Sequence, residues 1–178
     1  MKKVSSLLLR YALIILAGLG NLFIVYAICG PLTFYLASLI LPLFGAVSSF
    51  QTLHLIIFNT TTIYLINACV AGSAYYLLFI LNLSTPNIKF LKRIYMLAFC
   101  FGSLLLLNLI RIVLMTLIAG SKLFYSVHML FWYVLSLVFV IAIWFLAVRI
   151  FRIKEVPVFS DVSYLIKQMN SKRKITKR

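Results

Sequence analysis

Between Tyr11 and Val148 the chain carries only five charged side chains, all of them basic: Lys89, Lys92, Arg93, Arg111 and Lys122. Apolar stretches of this length have no soluble core large enough to hide them, so they dictate a membrane-spanning fold. Composition agrees: 65% of residues are hydrophobic, 11% are charged and mean hydropathy is +1.14. A soluble domain runs near half apolar and about a quarter charged. The net charge of +15 is a topology signal. It is not a nucleic-acid footprint, because no basic stretch alternates with exposed aromatics on a soluble module.

A helix needs roughly 20 apolar residues to cross the hydrocarbon core. Four segments meet or approach this: about Tyr11–Cys29, Asn67–Leu83, Ile94–Ala119 and Leu123–Val148. The expected fold is therefore an all-α integral membrane protein of about four spans. The first run lacks a small-x-small cleavage site, which makes it an uncleaved anchor rather than a signal peptide. Short basic loops stay cytoplasmic. Four spans put Lys2, Lys3 and Arg10, the Lys89–Arg93 loop and the tail after Val148 on that side together. Between the first two spans, Pro31–Phe44 reads as interfacial or re-entrant. Leu53–Ile66, with Thr60, Thr61 and Thr62 among β-branched neighbours, reads as extended. Two further crossings in this region would preserve the charge parity and give six spans; a single one would break it.

Arg111 is the one cation inside an otherwise apolar run, and an ionisable residue within a span is a functional hypothesis by default. At ~1.5 Å per residue it lies about 25 Å from the cytoplasmic end of its helix. Cys69, in the first turn of the second span, and His128, near the start of the fourth, fall at the same depth. A cysteine nucleophile acts as its thiolate, which a helix N-terminus or a nearby cation stabilises. His128 then serves as general base or ion-pair partner. Arg111, or the backbone N–H groups around Val70 and Ala71, could hold an oxyanion. Asn108, one turn before Arg111, is placed to orient its guanidinium. Gly72 and Ser73 let another backbone approach the helix carrying Cys69.

Each residue also has a structural role open to it. Arg111 could bond loop carbonyls or snorkel to headgroups, and Gly72 and Ser73 could be ordinary small-residue packing. Cys29 and Cys100 read as small hydrophobes, and His54 as a surface or interfacial histidine. Neither the cysteine spacing nor the two acidic residues, Glu155 and Asp161, supplies a metal-ligand pattern. No metal or cofactor is expected.

The stretch Ala68-Cys69-Val70-Ala71-Gly72-Ser73, then Asn108-Leu109-Ile110-Arg111-Ile112, then His128 at the opening of the last span resembles the exosortase/archaeosortase family of membrane transpeptidases. Pro31, Pro42 and Gly45, leading through an extended segment into Ala-Cys, also match. The resemblance covers about residues 30–150. The family often shows Ala-Cys-Ser-Gly or Ala-Cys-Thr-Gly; here Val70-Ala71 precede Gly72, which removes a hydroxyl beside the nucleophile.

The resemblance implies a catalytic domain over residues 1–150 and catalytic roles for Cys69, Arg111 and His128. Its implied partners are exported proteins carrying a C-terminal sorting signal (a motif, a transmembrane helix and a basic tail) and a membrane lipid as acceptor. The reaction it implies is cleavage through a thioester at the external face of the cytoplasmic membrane. Residues 151–178 form a basic cytoplasmic tail suited to anionic lipid, and Ser160-Asp161 could cap a short amphipathic helix there. Two rival classes remain: a small transporter or channel subunit with Arg111 binding an anion, and a non-catalytic assembly factor. The apolar inner halves of the last three spans weigh against a conduction path.

Overall fold

The computed structural model describes residues 2–19, 22–50, 55–59 and 61–153. Helices dominate: α1 (Lys2–Leu19), α2 (Phe23–Ile40), α3 (Asn67–Val70), α4 (Gly72–Ser84), α5 (Phe90–Leu117), α6 (Phe124–Leu130) and α7 (Ser136–Ile150). Strands β1 (Val47–Phe50), β2 (Leu55–Phe58) and β3 (Thr61–Tyr64) lie between α2 and α3. Among the described residues three helical stretches are long and apolar enough to cross a membrane: Phe23–Leu43, Phe90–Leu117 and Phe124–Ile150. Leu7–Leu19 and Gly72–Ser84 are apolar but shorter. Large apolar side chains such as Leu137, Ile141 and Phe145 face outward, as lipid contact requires and water does not tolerate over so wide an area.

The first expected span, Tyr11–Cys29, is not one helix. It breaks after Leu19, and α2 restarts beyond Leu22, which adopts the left-handed conformation at φ 61°. The run Gly18-Leu19-Gly20-Asn21 explains the stop, because glycine and asparagine are the residues at which helices end. Conversely, Pro31–Phe44 is helical as far as Leu43 where an interfacial or re-entrant segment was expected. Pro31 lies inside α2 and Pro42 opens a 3₁₀ turn over Leu41–Leu43. Proline fixes a helical φ and forfeits only one backbone bond, so a strongly apolar helix carries it through.

The extended reading of Leu53–Ile66 corresponds to β2 and β3, and it makes the all-α expectation incomplete. The three strands form an antiparallel sheet in the order β1-β2-β3. Asn59, at φ 51°, turns β2 into β3, a conformation asparagine tolerates. The pairs Ile56↔Ile63 and Val47↔Phe58 put these four apolar residues on one face. That face packs on Phe34 and Ala37 of α2, on Leu41 of the 3₁₀ turn that follows it, and on Leu109, Ile112 and Val113 of α5. Residues 51–54, with His54, and residues 154–178, with the expected tail helix, lie outside the described residues.

The other core joins α2, α4, α5 and α7 around Cys29, Tyr75, Leu78, Met96, Cys100, Val140 and Trp144. Helix α1 runs antiparallel to α4: Arg10 Nη1 donates to the Leu83 carbonyl at 3.2 Å, and Tyr76 Oη donates to the Ile14 carbonyl at 2.8 Å. The Tyr76 hydroxyl occupies the space a side chain at Gly18 would need, and the Tyr26 ring lies over Gly72 in the same way. The glycines thus seat two tyrosines between the N-terminal helices and α4.

At the opposite end from the sheet, Arg93 closes the α4–α5 hairpin. Its guanidinium donates to the Asn82 carbonyl and, at 2.7 Å, to the Thr85 carbonyl, which the end of α4 leaves without helical donors. Arg93→Met should therefore lower the unfolding midpoint in detergent by the equivalent of about 2 kcal/mol, the range for hydrogen bonds from a charged donor. Lys92→Met removes the same charge one residue away and should leave the midpoint nearly unchanged. Equal effects would reduce Arg93 to a contribution of charge alone.

Candidate active site

Cys69 sits on an interrupted helix. After Ile66 the chain makes one helical turn, α3, then passes through Ala71 in the left-handed conformation (φ 59°, ψ 40°) before α4 begins. A left-handed non-glycine residue costs roughly 1–2 kcal/mol, and it has a consequence for the backbone. Helix geometry would have the Ser73 N–H bond the Cys69 carbonyl and the Ala74 N–H the Val70 carbonyl. Here the Ala74 N–H reaches the Ala71 carbonyl at 3.0 Å, the oxygen that also takes the regular bond from the Tyr75 N–H at 3.3 Å. The Cys69 carbonyl is left to side-chain donors.

Two donors from α5 take it. Asn108 Nδ2 bonds the Cys69 carbonyl at 2.8 Å and Arg111 Nη2 bonds it at 3.1 Å. Asn108 and Arg111 are three residues apart, so one helix face presents both. Asn108 therefore does not orient the guanidinium directly; both side chains converge on one acceptor. Asn108 is buried, whereas Cys69 and Arg111 are half-exposed. A guanidinium carries five N–H donors, and this is the one hydrogen bond Arg111 makes among the described residues. The remaining donors are available to a ligand.

Cys69, Arg111 and His128 line one cavity of about 410 Å³, with β3 and its continuation to Ile66 on one side and Ile112, Met115 and Phe124 on the other. That volume is in the range of about 300–1,000 Å³ usual for ligand sites. Its walls are mostly apolar and, among the described residues, contain no carboxylate; the two acidic residues, Glu155 and Asp161, lie outside the described residues. Arg111 thus brings a positive charge that has no acidic partner among the described residues into an apolar recess, where electrostatic interactions with a ligand are strengthened.

His128 is held by aromatic rings rather than by the thiol. Its imidazole stacks on Phe124, with centroids 5.7 Å apart and planes at 20°, and meets Trp132 at 6.0 Å. The three residues follow one another at intervals of four on one helix face. Three residues after His128, Phe131 opens a π-helical turn that runs to Leu135, a feature frequent at functional sites. Among the described residues no hydrogen bond links His128 to Cys69.

Gly72 and Ser73 are not part of the cavity wall. Gly72 is buried beneath Tyr26 and belongs to helix packing, whereas Ser73 is exposed. Sequence reasoning missed Thr62–Ile66, which form a whole wall of the cavity; their β-branched character signalled a strand, not its proximity to Cys69. Among the described residues no group of three histidine, cysteine or acidic side chains is placed to hold a metal. Comparison with protein-family models, curated proteins and solved structures gives no match for this chain.

Replacing Asn108 with Leu keeps the volume and removes one of the two donors. The unfolding midpoint should fall by the equivalent of about 1 kcal/mol, the net value of one such bond. Hydrogen–deuterium exchange should rise at residues 72–75, where α4 begins. Unchanged exchange there would mean that the bond does not hold the interrupted helix in place.

Proposed function

We propose that this protein is a membrane-embedded cysteine transpeptidase or peptidase that cleaves exported proteins near their C-terminus, with Cys69 as nucleophile. The observation that carries this reading is that Cys69, Arg111 and His128 share one cavity, which among the described residues has no acidic side chain in its lining. The ordered motifs that resemble the exosortase/archaeosortase family supply the reaction class.

The topology belongs to the same proposal. Helix α4, continued by α3, makes a fourth crossing beside Phe23–Leu43, Phe90–Leu117 and Phe124–Ile150. The Lys89–Arg93 segment and the end of α7 then share one side with the N-terminus, which the positive-inside rule makes cytoplasmic. The sheet and the cavity lie at the external end. A substrate emerging from the membrane with its own basic tail retained inside presents its cleavage point at that level.

The chemistry runs through the thiolate of Cys69. Its sulfur attacks the scissile carbonyl carbon, and the carbonyl π electrons move to oxygen. The free N–H groups of Arg111 stabilise that oxyanion, where one donor is typically worth 10²–10³ in rate. Collapse of the intermediate breaks the C–N bond; the amine leaves with a proton delivered by His128, and a thioester remains on Cys69. An amine or alcohol of a lipid headgroup, or water, then attacks the thioester, gives up its proton to His128 and regenerates the thiolate. Catalytic hydrogen bonds commonly tighten only with substrate present, so the His128–Cys69 approach is assigned to the complex.

A non-catalytic assembly protein is the second reading. It is favoured by the bonds from Asn108 and Arg111 to the Cys69 carbonyl, which join helices without using the sulfur. Cys69→Ala separates the two, since it preserves that carbonyl. On the enzyme reading the mass of a co-expressed substrate's C-terminus reverts to the unprocessed value; continued processing would sink the nucleophile. Arg111→Lys should cut processing about 100-fold, since an ammonium cannot bond two acceptors with the guanidinium's planar geometry. A membrane-impermeant maleimide should label Cys69 from outside the cell, and labelling only from the cytoplasm would invert the topology.

A further inference from the structure

We infer that the open edge of β3 binds an extended polypeptide segment by strand addition, and that this pairing leads the segment to Cys69. The inference rests on the reading of Cys69 as a nucleophile and adds how its substrate is held. In the order β1-β2-β3 only β2 borders β3, which leaves its outer edge without a strand partner among the described residues. The cavity touches five consecutive residues, Thr62 to Ile66. Side chains alternate between the two faces of a strand, so a space in contact with every residue in succession runs along the edge rather than beneath one face.

The outer residues mark the same line. Tyr64 is 63% exposed and Ile66 is 60% exposed, while Ile63 and Leu65 pack inward on the second core. The chain stays extended to Ile66, at φ −86° and ψ 166°, three residues before the nucleophile. Apart from the ladder to β2, the one backbone bond to this stretch among the described residues is Cys69 N–H to the Ile66 carbonyl, at 2.8 Å. An open row of N–H and C=O groups facing an apolar recess is costly. An extended peptide satisfies it with main-chain hydrogen bonds that are indifferent to side-chain identity. A helical segment offers no such groups, so the bound segment must unwind before it reaches Cys69.

The test compares two alkylating probes on the full-length protein in lipid nanodiscs. One is the chloromethyl ketone of acetyl-tetra-alanine; the other is chloroacetone, which has the same reactive group and no peptide backbone. In both, the thiolate displaces chloride to form a C–S bond, and peptide mapping by mass spectrometry follows Cys69. The peptide reagent should react at least about tenfold faster, as one or two net hydrogen bonds would give. Methylating its amide nitrogens one at a time should remove the advantage at alternate residues only, because every second N–H of a paired strand points to its neighbour. Equal rates for the two probes, with Cys69 still labelled, would overturn strand addition while leaving the nucleophile in place. Uniform sensitivity to methylation would likewise overturn it. Failure of both probes to label Cys69 would overturn the nucleophile and this inference with it.

Discussion

The site is organised around a single backbone carbonyl, that of Cys69. A left-handed residue at Ala71 interrupts the helix and removes the donor this oxygen would otherwise have. Asn108 and Arg111 supply two others from a neighbouring helix. Most contacts between apolar helices are non-directional, and dispersion alone allows them to slide and rotate. Two hydrogen bonds to one acceptor do not. They set the depth and rotation of α5 relative to the turn carrying the thiol, and they tether one end of the guanidinium while the rest stays free.

A second constraint comes from the sheet. β2 lays Ile56 and Phe58 on α2 and α5, and β3 continues without a break into the turn bearing Cys69. The same small sheet therefore covers the second core, forms one wall of the cavity and leads into the turn that carries Cys69. At the far end, Arg10 and Arg93 hold the close of α4 through its carbonyls. The interrupted helix is consequently anchored at both ends, with the strained residue between them.

Much of this was legible in the chain. Apolar periodicity and length identified the later helices, because a residue in a span has few alternatives to helix when no water is present to satisfy its backbone. The β-branched, threonine-rich run before Cys69 signalled an extended segment. The break between α1 and α2 was written in Gly18, Gly20 and Asn21, but mean hydropathy outweighed those residues when the first span was drawn. Pro31 and Pro42 had the opposite effect: they argued against a helix that the surrounding apolar residues sustain. Asn108 was singled out as a partner of Arg111, and it shares an acceptor with it instead. A shared acceptor on another segment leaves no mark on helical spacing.

The sequence by itself determined that the chain carries helices apolar enough for a membrane and where its basic residues cluster. These follow from hydropathy and charge, which depend on residue type and order alone. Only the tertiary structure decided that Cys69, Arg111 and His128 line one cavity, that Arg111 is tethered to the Cys69 carbonyl, and that β3 presents beside it an edge with no strand partner among the described residues. Those features depend on the rotation of each helix about its axis and on one left-handed residue at Ala71. Both are set by packing between segments distant in the chain, and neither is encoded in local composition.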